Sequence, residues 1–360
     1  MTTAERAAAL AAAARPFAEW LGDFIAEDLL ELVRVELGHP AILDDFQTHG
    51  NRLSRAVAPR KILHVLSGNT PHAGLQTLLR GLLLGSHNRC KLPAVGLPVV
   101  SAFYEALPQA LAARVECSES LPPDWVSSAN ALIVFGDDDA IAHFHGLARA
   151  DQILCGHGHR VSLGIVLDDL TGSLVGAARD ASLFDQRGCL SPHGFYVRGD
   201  SRAYAASLAD AMAAFNFQHP RRLLAPPEAA AIRAVREDYR FRAANDDRYT
   251  LWLSDDGRST DWTVIHDAAN PAFTTSPLDR VVFVKPLPAD LGSALAGVNS
   301  HLGAIGYWPQ GLDSARWVAE HVSGATRICP LGEMQRPPLA WHQDGGPVLS
   351  SLVRWVDLEL

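Results

Sequence analysis

The sequence predicts an α/β protein built as two doubly wound lobes. Three observations carry that expectation. Short apolar runs of strand length recur at residues 61–66, 131–135, 162–167, 281–284 and 304–307. Stretches with apolar residues at helical spacing lie between them, which is the pattern of parallel βαβ crossovers. The alternation runs through both halves of a 360-residue chain, a length at which two domains are expected.

Residues 1–58 read as helices with a short break, because Leu21, Phe24, Ile25, Leu29, Leu32 and Val33 recur at helical spacing. The pattern then changes. A strand at 61–66 leads through the turn Ser67-Gly68-Asn69-Thr70-Pro71 into an apolar helix at 74–84 and a strand at 88–92. The strand at 131–135 ends in Gly136-Asp137-Asp138-Asp139, where a helix starts, and 162–167 is the next strand. A helix through 177–184 reaches Gln186-Arg187-Gly188-Cys189-Leu190-Ser191-Pro192, followed by a strand at 194–198 and an alanine-rich helix at 200–216. Another helix follows Pro226-Pro227. Residues 249–253 and 262–266 flank Asp255-Asp256-Gly257, which reads as a hairpin or an extended loop. Strands at 281–284, 304–307 and 326–328 alternate with helices at 289–301 and 312–322. Residues 352–360, with Val353 and Trp355, form an edge strand that either pairs with another subunit or completes the chain's own sheet.

Composition narrows the function. A formal net charge of −9 argues against a general nucleic-acid binder, which presents a basic face. No apolar run is long enough for a membrane span, and residues 1–15 lack the layout of a signal peptide. Five cysteines, at 90, 117, 155, 189 and 329, show no zinc-type pairing, and a reduced cytoplasmic compartment is the simplest expectation. No metal site is expected: Cys155, His157 and His159 share one face of an extended segment, but nothing completes a tetrahedral set.

Cys189 is the candidate nucleophile. The preceding Gly188 permits a tight turn, and the turn leaves backbone N–H groups to face an oxyanion. The competing reading is a buried core sulfur, as for Cys90, Cys117 and Cys329. His193, four residues on, either lowers the thiol pKa or sits at the surface at a strand start. Asn69, at the C-terminal end of a strand, is either an oxyanion donor or a turn and capping residue. Lys91 reaches a cofactor ribose or phosphate, or is a solvated strand end. Gly136 and Asp137 open a helix where a pyrophosphate could approach, although the aspartates also read as caps. The GxGxxG fingerprint is absent.

These segments, in this order, resemble the aldehyde dehydrogenase superfamily. The nearer likeness is to its LuxC-type branch, the fatty acyl-CoA and acyl-protein thioester reductases. The residues that carry it are His64-Val65-Leu66-Ser67-Gly68-Asn69-Thr70-Pro71, Leu84-Gly85-Ser86-His87-Asn88-Arg89-Cys90-Lys91, Phe135-Gly136-Asp137-Asp138, Ser162-Leu163-Gly164-Ile165-Val166 and the Cys189 segment. Pro330-Leu331-Gly332-Glu333-Met334-Gln335 and Trp341-His342-Gln343-Asp344-Gly345 follow late in the chain. The resemblance implies an aldehyde dehydrogenase-like fold with the active site in the cleft between two lobes. It implies an N-terminal cofactor-binding domain at 1–160, a catalytic domain at 161–345 and a C-terminal strand at 346–360 with a role in oligomerisation.

It further implies that Cys189 is the nucleophile, that Asn69 and the Cys189 N–H form the oxyanion hole, and that Lys91 contacts the adenosine ribose or its phosphate. Superfamily members that prefer NAD often carry an acidic residue three positions after the lysine; here it is Ala94, which favours NADPH over NADH. The glutamate that activates water in hydrolytic members is replaced by His157-Gly158-His159-Arg160. An acyl-enzyme without that base survives to be reduced. The implied activity is therefore NADPH-dependent reduction of an acyl thioester, on CoA or a carrier protein, to an aldehyde by a cytoplasmic homo-oligomer. The alternatives are a cysteine-dependent acyltransferase or thioesterase without hydride chemistry, and a non-catalytic superfamily member that binds partners.

Overall fold

In the computed structural model, which describes residues 1–49 and 51–359, the apolar runs of both halves are the inner strands of parallel sheets. The chain divides into two units, residues 1–159 with 336–360, and residues 160–335.

The first unit opens with helices Thr3–Ala14, Ala18–Leu21 and Ala26–Leu37 and then turns to strands β1 (Gln47–His49) and β2 (Arg52–Val57). Both strands fall in the stretch expected to be helical; Gln47–His49 instead pairs antiparallel with the start of Arg52–Val57. The C-terminal strand Arg354–Leu358 pairs with the other side of β2, so it completes the chain's own sheet. The partner that stabilises β2 lies some 300 residues away in sequence, beyond the reach of any local pattern.

Strands β3 (Lys61–Val65), β4 (His87–Lys91), β5 (Val115–Ser118), β6 (Ala131–Phe135) and β7 (Ile153–His157) form a parallel sheet in the order β5-β4-β3-β6-β7. β5 and β7 are its edges, and their polar, partly exposed sequences hid them from the periodicity reading. Alternate residues face opposite layers. Ile62, Cys90 and Ile133 pack under the helices Thr3–Ala14, Ala26–Leu37 and Pro71–Leu83, whereas Leu63, Leu132 and Val134 pack with Trp125 and Phe144. His64 is wholly buried in the first layer, between the Thr77 hydroxyl (3.0 Å) and the Asn88 side-chain oxygen (2.9 Å). Burial pulls its pKa down to about 4, so it is a neutral link between β3, β4 and the helix.

Residues 336–345 were expected in the second domain. They pack in the first unit, because buried Arg80 donates to the Leu339 carbonyl (2.8 Å) and the Gln343 side chain (3.0 Å), and the Trp341 indole N–H donates to Gln76 (3.1 Å).

The second unit contains β8 (Val161–Val166), β9 (Pro192–Val197), β10 (Tyr249–Leu253), β11 (Thr263–Asp267), β12 (Val281–Pro286), β13 (Leu302–Trp308) and β14 (Arg327–Pro330). The order is β10-β11-β12-β9-β8-β13-β14, parallel except for β10, which forms a hairpin with β11. The helix expected at 289–301 is shorter, Leu291–Leu295 followed by a single tight turn; Gly292 and Gly297 lower its helical propensity. Buried Lys285 on β12 pairs with fully buried Asp267 on β11 at 2.8 Å.

Glu36 tests the closure of the first unit. Its carboxylate accepts the backbone N–H groups of Val348, Leu349 and Ser350 at 3.0, 2.6 and 3.0 Å. Glu36→Ala should lower stability by about 1–3 kcal/mol, read from urea unfolding.

Candidate active site

The order of the first sheet puts its switch point between β3 and β6, since β4 and β5 build outward on one side and β6 and β7 on the other. Ligands bind at the carboxyl end of such a point. Asn69 lies in the loop after β3, and Gly136 and Asp137 lie in the loop after β6. Lys91 ends β4, opposite Val65 and Ser118. These residues thus share one edge of one sheet.

Their engagement differs. Asn69 is exposed and its amide has no hydrogen-bond partner among the described residues; the following helix is capped at Thr70 without a side-chain bond. Asn69 is therefore not a capping residue. The half-buried Lys91 ammonium likewise has no partner among the described residues, and Ala94 is exposed in the loop beyond it. Asp137, in contrast, caps the helix Asp138–Leu147 by accepting from the Ala140 N–H at 2.8 Å. A Cβ at Gly136 would stand 2.8 Å from that of Ala140, so glycine is required by the strand-to-helix junction itself. Asp138 and Asp139 add charge to the first turn. A nicotinamide dinucleotide fits this edge unevenly. The Lys91 cation beside an uncharged Ala94 suits a phosphorylated ribose, whereas the anionic turn at 137–139 opposes a pyrophosphate.

His157 ends β7. Its Nδ1 lies 2.6 Å from the Asp344 carboxylate, and its ring stacks on Phe135 at 4.6 Å. With Arg80, Thr77, Cys155 and Ser351 it lines a cavity of about 390 Å³, open mouth included. Among the described residues no three His, Cys, Asp or Glu side chains converge as metal ligands.

In the second unit, the helix Leu170–Ser182 ends and Phe184, Asp185 and Gln186 adopt left-handed backbone conformations, with φ of +53°, +52° and +62°. Leu278, Asp279 and Arg280 do the same at +70°, +54° and +67°. Each such residue is costly without glycine. The two triplets hold one another. The fully buried Gln186 amide donates to the carbonyls of Pro192 and Val281 and accepts the Val281 N–H, all at 2.9 Å. Arg280 pairs with Asp185 at 2.8 Å, and Arg222 reaches Asp279 at 3.1 Å and Glu228 at 2.8 Å. Arg187 joins Glu228 at 2.6 Å. Burial pushes the Asp279 carboxyl up to about 6. Sequence reasoning missed Asp279 and the Asp344 partner of His157, because neither lies in a local pattern that signals its contact.

Cys189 sits in a turn closed by the Ser191 N–H donating to the Gly188 carbonyl at 2.9 Å, at the N-terminal end of β9. Its own carbonyl accepts from the Ser162 hydroxyl at 2.8 Å, and Gln335 donates to the Ser191 hydroxyl at 2.7 Å. From 188 to 197 every residue is buried except Cys189. The core-sulfur reading fails on that exposure. His193 is buried in β9, not at the surface, and its Nδ1 accepts the Ser276 N–H at 3.0 Å. Nearby Asp180 is wholly buried and accepts the Gly332 N–H at 2.6 Å; burial pushes its pKa up to about 7.

The sheet orders and the switch-point edge define an aldehyde dehydrogenase-like fold, and comparison with solved structures agrees. A γ-glutamyl-γ-aminobutyraldehyde dehydrogenase from Burkholderia cenocepacia J2315 superposes with a TM-score of 0.68 at 14% identity, covering 99% of this chain and 84% of that one. A glyceraldehyde-3-phosphate dehydrogenase, GapN, from Methanocaldococcus jannaschii DSM 2661, complexed with NADP, gives 0.68 at 11% identity, covering 99% and 90%. Within that fold the chain belongs to the acyl-CoA reductase (LuxC) family, whose model matches residues 5–355, and it is an oxidoreductase of that family. The long-chain acyl-protein thioester reductase 2 of Photobacterium leiognathi is 25% identical over 364 residues, covering 95% of this chain and 73% of that protein. The long-chain acyl-protein thioester reductase of Aliivibrio fischeri is 23% identical over 368 residues, covering 96% and 74%.

Two outcomes test the framework of the cysteine turn. Gln186→Ala strands buried backbone groups of Val281 and Pro192, and should cost roughly 3 kcal/mol in urea unfolding. For Asp180 the fold favours the neutral acid, so stability falls as pH rises from the unfolded value near 4 through the folded value of about 7. Asp180→Asn should remove that slope when urea midpoints are compared at pH 5 and pH 8.

Proposed function

We propose that this chain reduces an acyl thioester, carried on CoA or a carrier protein, to the aldehyde through an acyl-cysteine on Cys189, with NADPH as reductant. The observation that carries the reading is the exposure of Cys189 alone within an otherwise buried and tightly bonded segment. The family match and the names of the relatives support the substrate class.

The Cys189 thiolate attacks the thioester carbonyl, and the leaving thiolate departs as the acyl group passes to sulfur. Exchange of one thioester for another is nearly isoenergetic, so the protein's task is to hold the groups in place and stabilise the oxyanion. The Cys189 backbone N–H and the Asn69 amide are assigned that role. A bound nicotinamide cofactor would supply the hydride that reduces the acyl group; Cys189 holds that group as a thioester and leaves as thiolate when the aldehyde is released. Lys91 is assigned to the adenosine ribose and its phosphate, with Ala94 leaving room for the latter. Gly136 and Asp137, in the loop after β6, would line the cofactor's approach to that end of the sheet. The stretch His157-Gly158-His159-Arg160, which carries no carboxylate where hydrolytic members have the water-activating glutamate, favours reduction over hydrolysis of the acyl-enzyme. A soluble homo-oligomer in the cytoplasm is the accompanying expectation; no helix among the described residues is long and apolar enough to cross a membrane.

Incubation with acyl-CoAs of graded length and NADPH tests the reading through nicotinamide absorbance. Cys189→Ala should abolish thioester-dependent oxidation, and mass spectrometry should find the acyl group on the Cys189 peptide of the wild type. Free thiol released without nicotinamide oxidation would instead indicate acyl transfer. Asn69→Ala should lower kcat by about 10²–10³. Ala94→Glu should shift preference from NADPH toward NADH, seen as a reversed order of KM values.

A further inference from the structure

We propose that Cys90 and Cys117 form a reversible dithiol–disulfide switch in the sheet of the first unit, oxidised by hydrogen peroxide. Cys90 on β4 stands directly opposite Cys117 on β5 in parallel register. Neighbouring strands run about 5 Å apart. That separation falls within the range of about 4.4–6.8 Å that a disulfide spans between Cα atoms. Side chains at one register position project to the same face of the sheet, so the Cys90 and Cys117 sulfurs belong to one layer.

The two sulfurs differ in access. Cys90 is wholly buried in the helix-covered layer, whereas Cys117 is exposed on the edge strand. An accessible thiol beside a sheltered one is the arrangement of an attacking and a resolving cysteine. Their acidities divide the same way. The neighbouring Cys90 draws the Cys117 pKa below the ordinary thiol value, while Cys117 and burial push that of Cys90 up.

The Cys117 thiolate attacks one oxygen of peroxide, the O–O bond breaks, and hydroxide leaves to become water; Cys117 is now a sulfenic acid. The Cys90 sulfur then attacks the Cys117 sulfur, the S–O bond breaks, and the departing hydroxyl takes the Cys90 proton as a second water. Two thiols are oxidised and one peroxide is reduced to two waters. Lys91 directly follows Cys90, so the bond fixes the end of β4 at the residue assigned to the cofactor. This last consequence rests on the proposed role of Lys91; the disulfide itself does not.

The experiment uses the Cys189→Ser protein, so that the exposed thiol does not compete. Peroxide treatment, thiol blocking and non-reducing peptide mapping should reveal a Cys90–Cys117 peptide pair that dithiothreitol dissolves and Cys117→Ser abolishes. In Cys90→Ala, Cys117 should stop at a sulfenic acid that dimedone labels. Recovery of both residues as free thiols, or over-oxidation of Cys117 without the link, overturns the switch. Nicotinamide fluorescence gives the second readout, with NADPH affinity about fivefold weaker in the oxidised form and unchanged by peroxide in the added Cys117→Ser variant. A link that forms without change in affinity overturns the coupling to Lys91 and leaves the disulfide standing. Absence of NADPH binding in the reduced form overturns the cofactor reading instead.

Discussion

The second unit depends on one mutual constraint, the locking of two left-handed triplets against each other. Neither 184–186 nor 278–280 contains glycine, so each needs external bonds to persist. The Gln186 amide and the pairs from Arg222 and Arg280 supply them in both directions. The turn that follows inherits the result. Its backbone is fixed by Ser162 on one side and by Gln335 through Ser191 on the other, and one thiol projects to solvent. A reactive group is precise when its supports are rigid, and here rigidity comes from strain balanced by buried hydrogen bonds.

The first unit solves a different problem. Its parallel sheet brings several loops to one edge, and the side chains there divide by what already engages them. Asp137 serves the helix it caps, and Gly136 serves the junction. The Asn69 amide and the Lys91 ammonium make no hydrogen bond or ion pair among the described residues, although both sit where the fold could readily have used them. Polar groups left uncommitted by the fold at a switch point are the stronger ligand candidates.

Much of this was legible in the sequence, for identifiable reasons. Inner strands such as 131–135 are apolar on both faces and stand out in any short window. Edge strands such as Val115–Ser118 and Ile153–His157 carry polar residues and lean on pairing that no window contains. The strands β1 and β2 escaped for the same reason, since the strand that covers β2 comes from the far end of the chain. At the candidate site, the ordered motifs around Asn69, Lys91 and Cys189 placed each residue on its element. The Asp279 network and the Asp344 contact of His157 did not show, because each joins residues distant in sequence through single side chains.

Residues 336–360 return to the first unit after the whole second unit has been traversed. The second unit is therefore an insertion in the first, and during synthesis the ribosome delivers it complete while its host still lacks a strand and the partners of Glu36 and Arg80. Domains fold as units while the chain emerges. The host's strands β1 and β2 thus wait with an open edge, which is a hazard for pairing with other chains. Arg354–Leu358 covers that side of β2, and its own outer side, with Trp355, Val356 and Leu358 exposed, becomes the edge in its place.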